Sequence, residues 1–501
     1  MATRPGGGTD AVSVKHMTYD ASDSPARWWA CPPGHRLAQV TVGLALLVGC
    51  GGLGVGQDAS PPNQDSTIPP DRDSTIPPDQ DSAQSQIDGA NFRLVGAPLA
   101  HAPTAQGFAL NAVVADGDPS MLRARVRAGA TTWSDSIEPA VPAADVAEWT
   151  LTGLPPGERC EYEIFARQAS GDTGLYAGTV VTQRPAGQPF TFALVTDSHI
   201  GANLSYSNQG DPDTLAAVSA EVDAAAPDFL IHLGDMLDFH EFGFNAPPPT
   251  SSITRAAYFN YRTLLGDTLG HAAHFATIGN WEGENGSYTS NEIARSMQAR
   301  WLYVPGPGPT TYPEGGSPNQ DYYAFTWGDA LFIVLNVMSY TPTEHLLSTD
   351  PGLPDDWTLG AAQIDWFANT LANATARWRF VFIHHAVGGA AGDAANSAYG
   401  RGGGQAAYVG EQARVHQLML QYRVQIFFYG HDHVFTDMQV DGIHYTLPGS
   451  AGAPWMFSQG ETGYAQSWLE SGWGKVTVSP DQVHVQFIKM GGDVLYEYTL
   501  P

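Results

Sequence analysis

Six short apolar runs lie between residues 191 and 430, and five of them end on side chains able to hold a metal. The runs are TFALVTD (191–197), DFLIHLGD (228–235), HFATIGN (274–280), LFIVLN (331–336), RFVFIHH (379–385) and VQIFFYG (424–430). Between them, Leu215, Val218 and Val222, then Ile364, Phe367 and Leu371, then Val415, Leu418, Met419 and Tyr422, recur at helical spacing. Strands alternating with amphipathic helices predict a layered α/β architecture, in which sites form at the C-terminal ends of strands. Those ends carry Asp197-Ser198-His199, Gly234-Asp235, Gly279-Asn280, His384-His385 and Gly430-His431-Asp432-His433. Each piece alone reads as a turn or a structural histidine, but the five together point to a metal centre.

The residue types fit a specific need. Two cations about 3.5 to 4 Å apart repel, so a carboxylate must bridge them while neutral imidazoles and an amide oxygen complete the shells. Such a pair polarises phosphoryl oxygens and activates a bridging hydroxide for attack on phosphorus, so phosphate-ester hydrolysis is the expected chemistry. The metals, divalent or trivalent, are left open among Fe, Mn and Zn because mixed N and O donors suit all three. With 51 acidic against 23 basic residues, a formal charge of −28, the chain is unsuited to a broad nucleic-acid surface. A small-molecule or nucleotide-like phosphate ester is the expected substrate.

In order, the pattern DxH, GDxxD, GN followed by an acid, a histidine after a strand, and GHxH resembles the calcineurin-like metallophosphoesterases over roughly residues 190–490. The resemblance implies a first metal on Asp197, His199 and His433, a second on Asn280, His384 and His431, and Asp235 bridging both and positioning the attacking hydroxide. Two departures matter. Ala386 stands where the family has a proline, which bears on the choice of His384 over His385, and Trp281 stands where the family has a histidine after the asparagine. Indole gives up no proton at useful pH. His385 is then the nearest candidate in sequence for proton transfer, and Glu282 takes the acidic position as a loop-ordering residue. A surface-anchored binding protein with a catalytically retired centre is the competing reading.

Residues 91–186 carry short alternating runs such as ARVRAGATTW (124–133) and GTVVTQ (178–183), which predict an all-β sandwich. Leu151 to Gly157, followed by CEYEIFARQ (160–168), resembles the E-to-F corner of a fibronectin type III domain, with Cys160 at the usual tyrosine position and Tyr162 two further on. A sandwich ahead of a catalytic domain (187–501) is similar to the purple acid phosphatases, but Asp238 replaces the tyrosine that those enzymes place three residues after the bridging aspartate.

The N-terminal region reads as targeting and spacer sequence. An apolar run of about a dozen residues at 37–49 is too short to span a bilayer and is shaped like a signal h-region. With Cys50 directly after it, Leu47 to Cys50 resembles a bacterial lipobox, so residues 1–49 are expected to be a lipoprotein-type signal, with lipid on Cys50 as the membrane anchor at the periplasmic or surface face of the cell envelope. Residues 50–90, with PPNQDSTI, PPDRDSTI and PPDQDSAQ in tandem, predict a disordered, semi-rigid spacer. The segment from Val387 to Tyr408 holds Gly388-Gly389 and Gly402-Gly403-Gly404 around Arg401, a candidate phosphate contact.

Overall fold

The computed structural model describes residues 92–205, 209–238, 251–284, 290–309, 315–337, 359–385 and 410–501. Cys50, the signal and spacer segments, His240 and Arg401 with its glycine-rich surroundings lie outside the described residues.

The first part is all β. Strands β1 (Arg93–Leu94), β2 (Leu99–Thr104), β3 (Gly107–Asp116), β4 (Leu122–Ala128), β5 (Ala140–Ala143), β6 (Val146–Thr152), β7 (Arg159–Gln168) and β8 (Gly171–Val181) form two antiparallel sheets. One runs β1-β3-β6-β5 with β2 also on β3, and the other β4-β7-β8. Period-2 alternation builds their shared core: Leu122, Ala124 and Val126 of β4 and Cys160, Tyr162 and Ile164 of β7 point inward with Phe108, Leu110 and Leu151 of the other sheet. Burial pushes the Cys160 thiol up to about 11, so it packs as a small apolar side chain.

The second part alternates β9 (Phe190–Val195), α1 (Pro212–Ala224), β10 (Phe229–His232), α2 (Ser251–Leu265), α3 (Thr268–His271), β11 (Ala273–Ala276), α4 (Ser290–Tyr303), β12 (Tyr323–Trp327), β13 (Ala330–Val334), α5 (Gly360–Asn373), β14 (Trp378–Phe382), α6 (Gly410–Gln421), β15 (Ile426–Phe428), β16 (Phe435–Val440), β17 (Ile443–Pro448), the short α7 (Gln459–Thr462), β18 (Gly472–Val478), β19 (Val483–Lys489) and β20 (Val494–Leu500). One six-stranded sheet has the order β11-β10-β9-β18-β19-β20 and the other β12-β13-β14-β15-β17-β16. In the first, β9, β10 and β11 run parallel; in the second, β13, β14, β15 and β17 do.

The two sheets face each other through phenylalanine. Phe192 and Phe229 of the first sheet meet Phe332 of the second at ring-centroid separations of 5.3 Å each, and Phe382 and Phe428 continue the layer. On the outer side of the second sheet, Ile364, Phe367 and Leu371 of α5 and Val415, Leu418 and Met419 of α6 pack on Leu331, Val381, Ile383 and Phe427. Leu215, Val218 and Val222 of α1 are fully buried in the core of the first sheet. The expected α/β domain is therefore two facing sheets flanked by helices.

Both parts lie within one compact unit. The fully buried Arg262 of α2 donates through Nη2 to Asn111 O (2.7 Å) and Ala97 O (3.3 Å) and through Nη1 to Tyr303 O (2.9 Å). Tyr162 Oη donates to Gly270 O (3.0 Å) and Tyr176 Oη to Asp267 (3.0 Å), so the tyrosine beside Cys160 ties the β-rich part to α3 and its flank.

Candidate metal centre

Five strand ends converge on one cluster, buried except for the half-buried His431: Asp197 and His199 follow β9, Asp235 follows β10, Asn280 follows β11, His384 follows β14, and His431 and His433 follow β15. Turning the chain sharply at each end takes unusual backbone. Asp197, His199, Asp235, His431 and His433 all have positive φ, between 50° and 76°. Asp and His enter this region more readily than most residues with a Cβ, and such strain concentrates at functional sites. Gly279 has no such angle but allows close approach: a Cβ there would stand 2.2 Å from Asp235 Oδ1 and 2.3 Å from Asp235 N.

Asp235 sits in the middle. Its Oδ2 lies 3.0 Å from His384 Nε2 and 3.6 Å from His199 Nε2, while Oδ1 accepts the backbone N–H of Trp281 at 2.9 Å. On one side, Asp197 Oδ1 is 3.4 Å from His433 Nε2 and 3.9 Å from His199 Nε2. On the other, the inward atom of the Asn280 amide is 3.1 Å from His431 Nδ1, 3.3 Å from Asp235 Oδ2 and 3.3 Å from His384 Nε2. Asp197, His199, Asp235 and His433 bring one donor atom each within 4.8 Å of one another, as do His384, His385 and His431. Of the neighbouring pair, it is His384 that meets Asp235; the His385 ring lies 4.0 Å from that of His431, centroid to centroid.

Three imidazoles are held so that Nε2 points to the centre. The Nδ1 of His199 contacts Asp238 Oδ2 at 3.1 Å, that of His384 contacts Leu233 O at 2.7 Å, and that of His433 contacts Trp455 O at 2.7 Å. With Nδ1–H donating outward, each neutral ring offers a lone pair inward. The Nε2 atoms of His199 and His433 then face each other at 3.1 Å, an arrangement that needs a proton or a cation between them. Asn280 poses the same demand. With nitrogen inward the amide would donate to its neighbours and its oxygen would accept from Trp281 Nε1 at 3.3 Å; with oxygen inward, it meets only acceptors and a cation must reconcile them.

Electrostatics agree with the geometry. Burial depresses His199, yet hydrogen bonds to Asp197 and Asp238 and the Asp235 charge outweigh it and lift its pKa to about 10. Burial likewise opposes charge on His384, but Asp235 raises it to about 9. Asp197 is held well below the usual carboxylate range, against its burial, by His433 and His199. Without a cation the cluster retains protons, and with one it releases them, so the donor set fits a metal. Glu282 ties the loops together, accepting from Gly279 N (2.5 Å), Met236 N (2.5 Å) and Asp235 N (3.2 Å); burial, then the Asp235 charge, push it up to about 7.

Sequence reasoning saw Asp238 only as a replaced tyrosine. Its actual contact is His199 Nδ1, and the second aspartate of the GDxxD pattern, three residues beyond Asp235, was the available signal. Asp432 was likewise unassigned. It is fully buried and accepts from Tyr464 Oη at 2.6 Å, which in turn lies 3.0 Å from Tyr429 Oη.

Residues 190–435 match the model of the calcineurin-like phosphoesterases, the family whose motifs supply the ligand residues described above. The chain is similar in structure to PhoD, at 15% identity over 81% of this chain and 89% of that one, with a TM-score of 0.59. It is also similar to the purple acid phosphatase PPD1 from yellow lupin (Lupinus luteus) seeds, at 14% identity over 80% of this chain and 73% of the other, TM-score 0.57. Likeness at these identities shows the fold, including a β-rich part ahead of the α/β domain. No curated protein matches the chain.

Proposed function

We propose that this chain is an exported, dinuclear metal-dependent phosphoesterase acting on phosphate mono- or diesters. The observation that carries the reading is the inward convergence of imidazole, carboxylate and amide donors whose outward atoms are tied down. Asp197, His199 and His433 would hold one cation and Asn280, His384 and His431 a second, with Asp235, central between the two sets, available to both. When bound, such ions polarise phosphoryl oxygens and lower the pKa of water; iron, manganese and zinc all accept this donor set. The chain itself supplies orientation: Asp238, Leu233 O and Trp455 O fix the ring tautomers, and Glu282 locks the Asp235 and Asn280 loops. His385, beside His431, is the proposed proton carrier, and Arg401, outside the described residues, the proposed phosphate contact.

The remaining assignments rest on sequence. The apolar run at 37–49 with Cys50 supports export and lipid anchoring at the cell envelope, the lipid being the membrane link. The two antiparallel sheets support a fibronectin III-like assignment for 91–186. The substrate is a small or nucleotide-like ester. The test uses the protein loaded with manganese, iron or zinc, assayed on p-nitrophenyl phosphate and its bis ester. Hydrolysis of at least one is expected, with loss of at least 100-fold (roughly, as for removal of a group acting on the transition state) in Asp235→Asn. Full metal occupancy without turnover on either ester would favour the surface binding protein, a reading to which Trp281 lends its one specific support.

A further inference from the structure

On the His199 and His433 side, aromatic rings adjoin the centre. Trp455 lies with its ring 5.6 Å from that of His199 and 5.5 Å from that of His433, and Phe457 is 5.3 Å from His433. Trp281 also adjoins His199, its ring 6.2 Å away, edge to face. Trp455 and Phe457 are partly exposed, whereas Trp281 is 5% exposed.

The segment that carries Trp455 and Phe457 is stitched in place. Ala451 N donates to Thr196 O (2.8 Å), Asp211 N to Gly452 O (2.8 Å), and Ser450 Oγ donates to Asp197 O (3.0 Å) while accepting from Ala453 N (3.0 Å). Between the two rings, the half-buried Met456 packs against the core of the second sheet. Beyond the short α7, Tyr464 Oη donates to the buried Asp432 at 2.6 Å and ties the far end to the strand end that carries His431 and His433. A wall fixed at both ends and in the middle presents its rings without the ordering cost that a loose loop would meet on binding.

We propose that Trp455, Phe457 and Trp281 form a subsite for a planar aromatic group attached directly to the phosphate, so that the preferred substrates are aryl phosphate esters. This rests on the phosphoesterase reading. Ring separations of 5 to 6 Å from two ligand imidazoles place the wall next to the centre, within reach of a ring joined to phosphorus through one ester oxygen. A flat aromatic ring laid on this wall gains stacking and buried apolar area. The leaving group fits as well. An aryloxide departs with little help from a proton donor, and the indole of Trp281 offers none.

The test measures binding of two non-hydrolysed probes, phenylphosphonate and methylphosphonate, to the manganese-loaded full chain by calorimetry. Phenylphosphonate is expected to bind roughly 5- to 10-fold more tightly, a margin typical of aromatic contacts. In Phe457→Ala and Trp455→Leu, the latter keeping the backbone carbonyl that holds His433, the margin should fall toward one while metal content by elemental analysis stays at the wild-type level. Equal affinity for both probes in the wild type, or an unchanged margin in both variants, overturns the subsite and leaves the phosphoesterase reading standing if p-nitrophenyl phosphate is still hydrolysed. If neither probe binds and no ester turns over, both fall.

Discussion

At the scale of single residues, Asp238 shows how a side chain that touches no metal can govern one. Its carboxylate receives His199 Nδ1–H and thereby commits Nε2 to the centre. Asp238→Asn keeps the shape but can present an N–H to Nδ1, favouring the wrong tautomer. Metal affinity is expected to fall about 10- to 100-fold, as for other carboxylate partners of ligating histidines; a competitive chelator titration measures it, and an unchanged affinity would refute the role. Placing a carboxylate rather than a phenol here also predicts that iron-loaded protein shows no tyrosinate charge-transfer absorption. The histidines give a pH dependence whose sign is fixed. His199 and His384 have folded values of about 10 and about 9, above the ordinary 6.5, so in metal-free protein the stability they contribute is full below about 6.5 and disappears as pH rises through 9 to 10. Metal needs both rings neutral, so its binding at pH 7 expels about two protons and its affinity climbs with pH. Calorimetry in two buffers of different ionisation enthalpy reads this directly, and a heat of binding independent of buffer would contradict it.

At the scale of elements, α2 shows why part of the framework was hidden in the sequence. Its buried residues are Thr254, Ala257, Tyr258, Tyr261, Arg262 and Leu265, spaced as a helix requires, but with Thr254 and Arg262 among them periodicity signals a helix without showing which face packs inward. The same holds for α4, whose buried positions are Ser296, Arg300 and Tyr303, with Arg300 donating through Nε to Glu284 at 2.6 Å. By contrast the parallel strands β9, β10, β11, β13, β14 and β15 were legible, because runs such as Phe380 to Ile383 are buried at every position and parallel strands covered on both faces must be apolar throughout, whereas β12, β16 and β17 were not singled out. The site was legible for a related reason. Ligand types at strand ends are visible in one dimension, whereas the contacts of Asp238 with His199, and of Tyr464 with Asp432, depend on how distant loops meet. Arg262 makes the energetic point. Replacing it by Met leaves Asn111 and the carbonyls of Ala97 and Tyr303 without their donor in a buried interface, and a loss of about 1 to 3 kcal/mol is expected in chemical denaturation. A change below about 1 kcal/mol would show that solvent or neighbouring groups replace it.

At the scale of the whole molecule, the question is whether the β-rich part is a passenger or belongs to the same folding unit as the centre. The contacts argue for one unit. Arg262 reaches from α2 into β3 and the turn before β2, Arg159 of β7 donates to Ala226 O (3.1 Å) and His271 O (3.3 Å), and Arg184 pairs with Asp228, the residue that leads into β10. Asp228 N in turn donates to Thr191 O of β9 (2.8 Å), so the anchor of the β-rich part is one strand-length from Asp235 and Asp197. Cations that bind the folded centre and not the unfolded chain stabilise whatever unfolds with it. Scanning calorimetry of the described domains should therefore give a single transition that moves upward on metal loading and downward on chelation, with near-ultraviolet signals from Trp133 and Trp149 of the β-rich part tracking it. Two transitions, with the one reporting on Trp133 and Trp149 indifferent to chelator, would mean that the interface holds the parts in register without joining their stability.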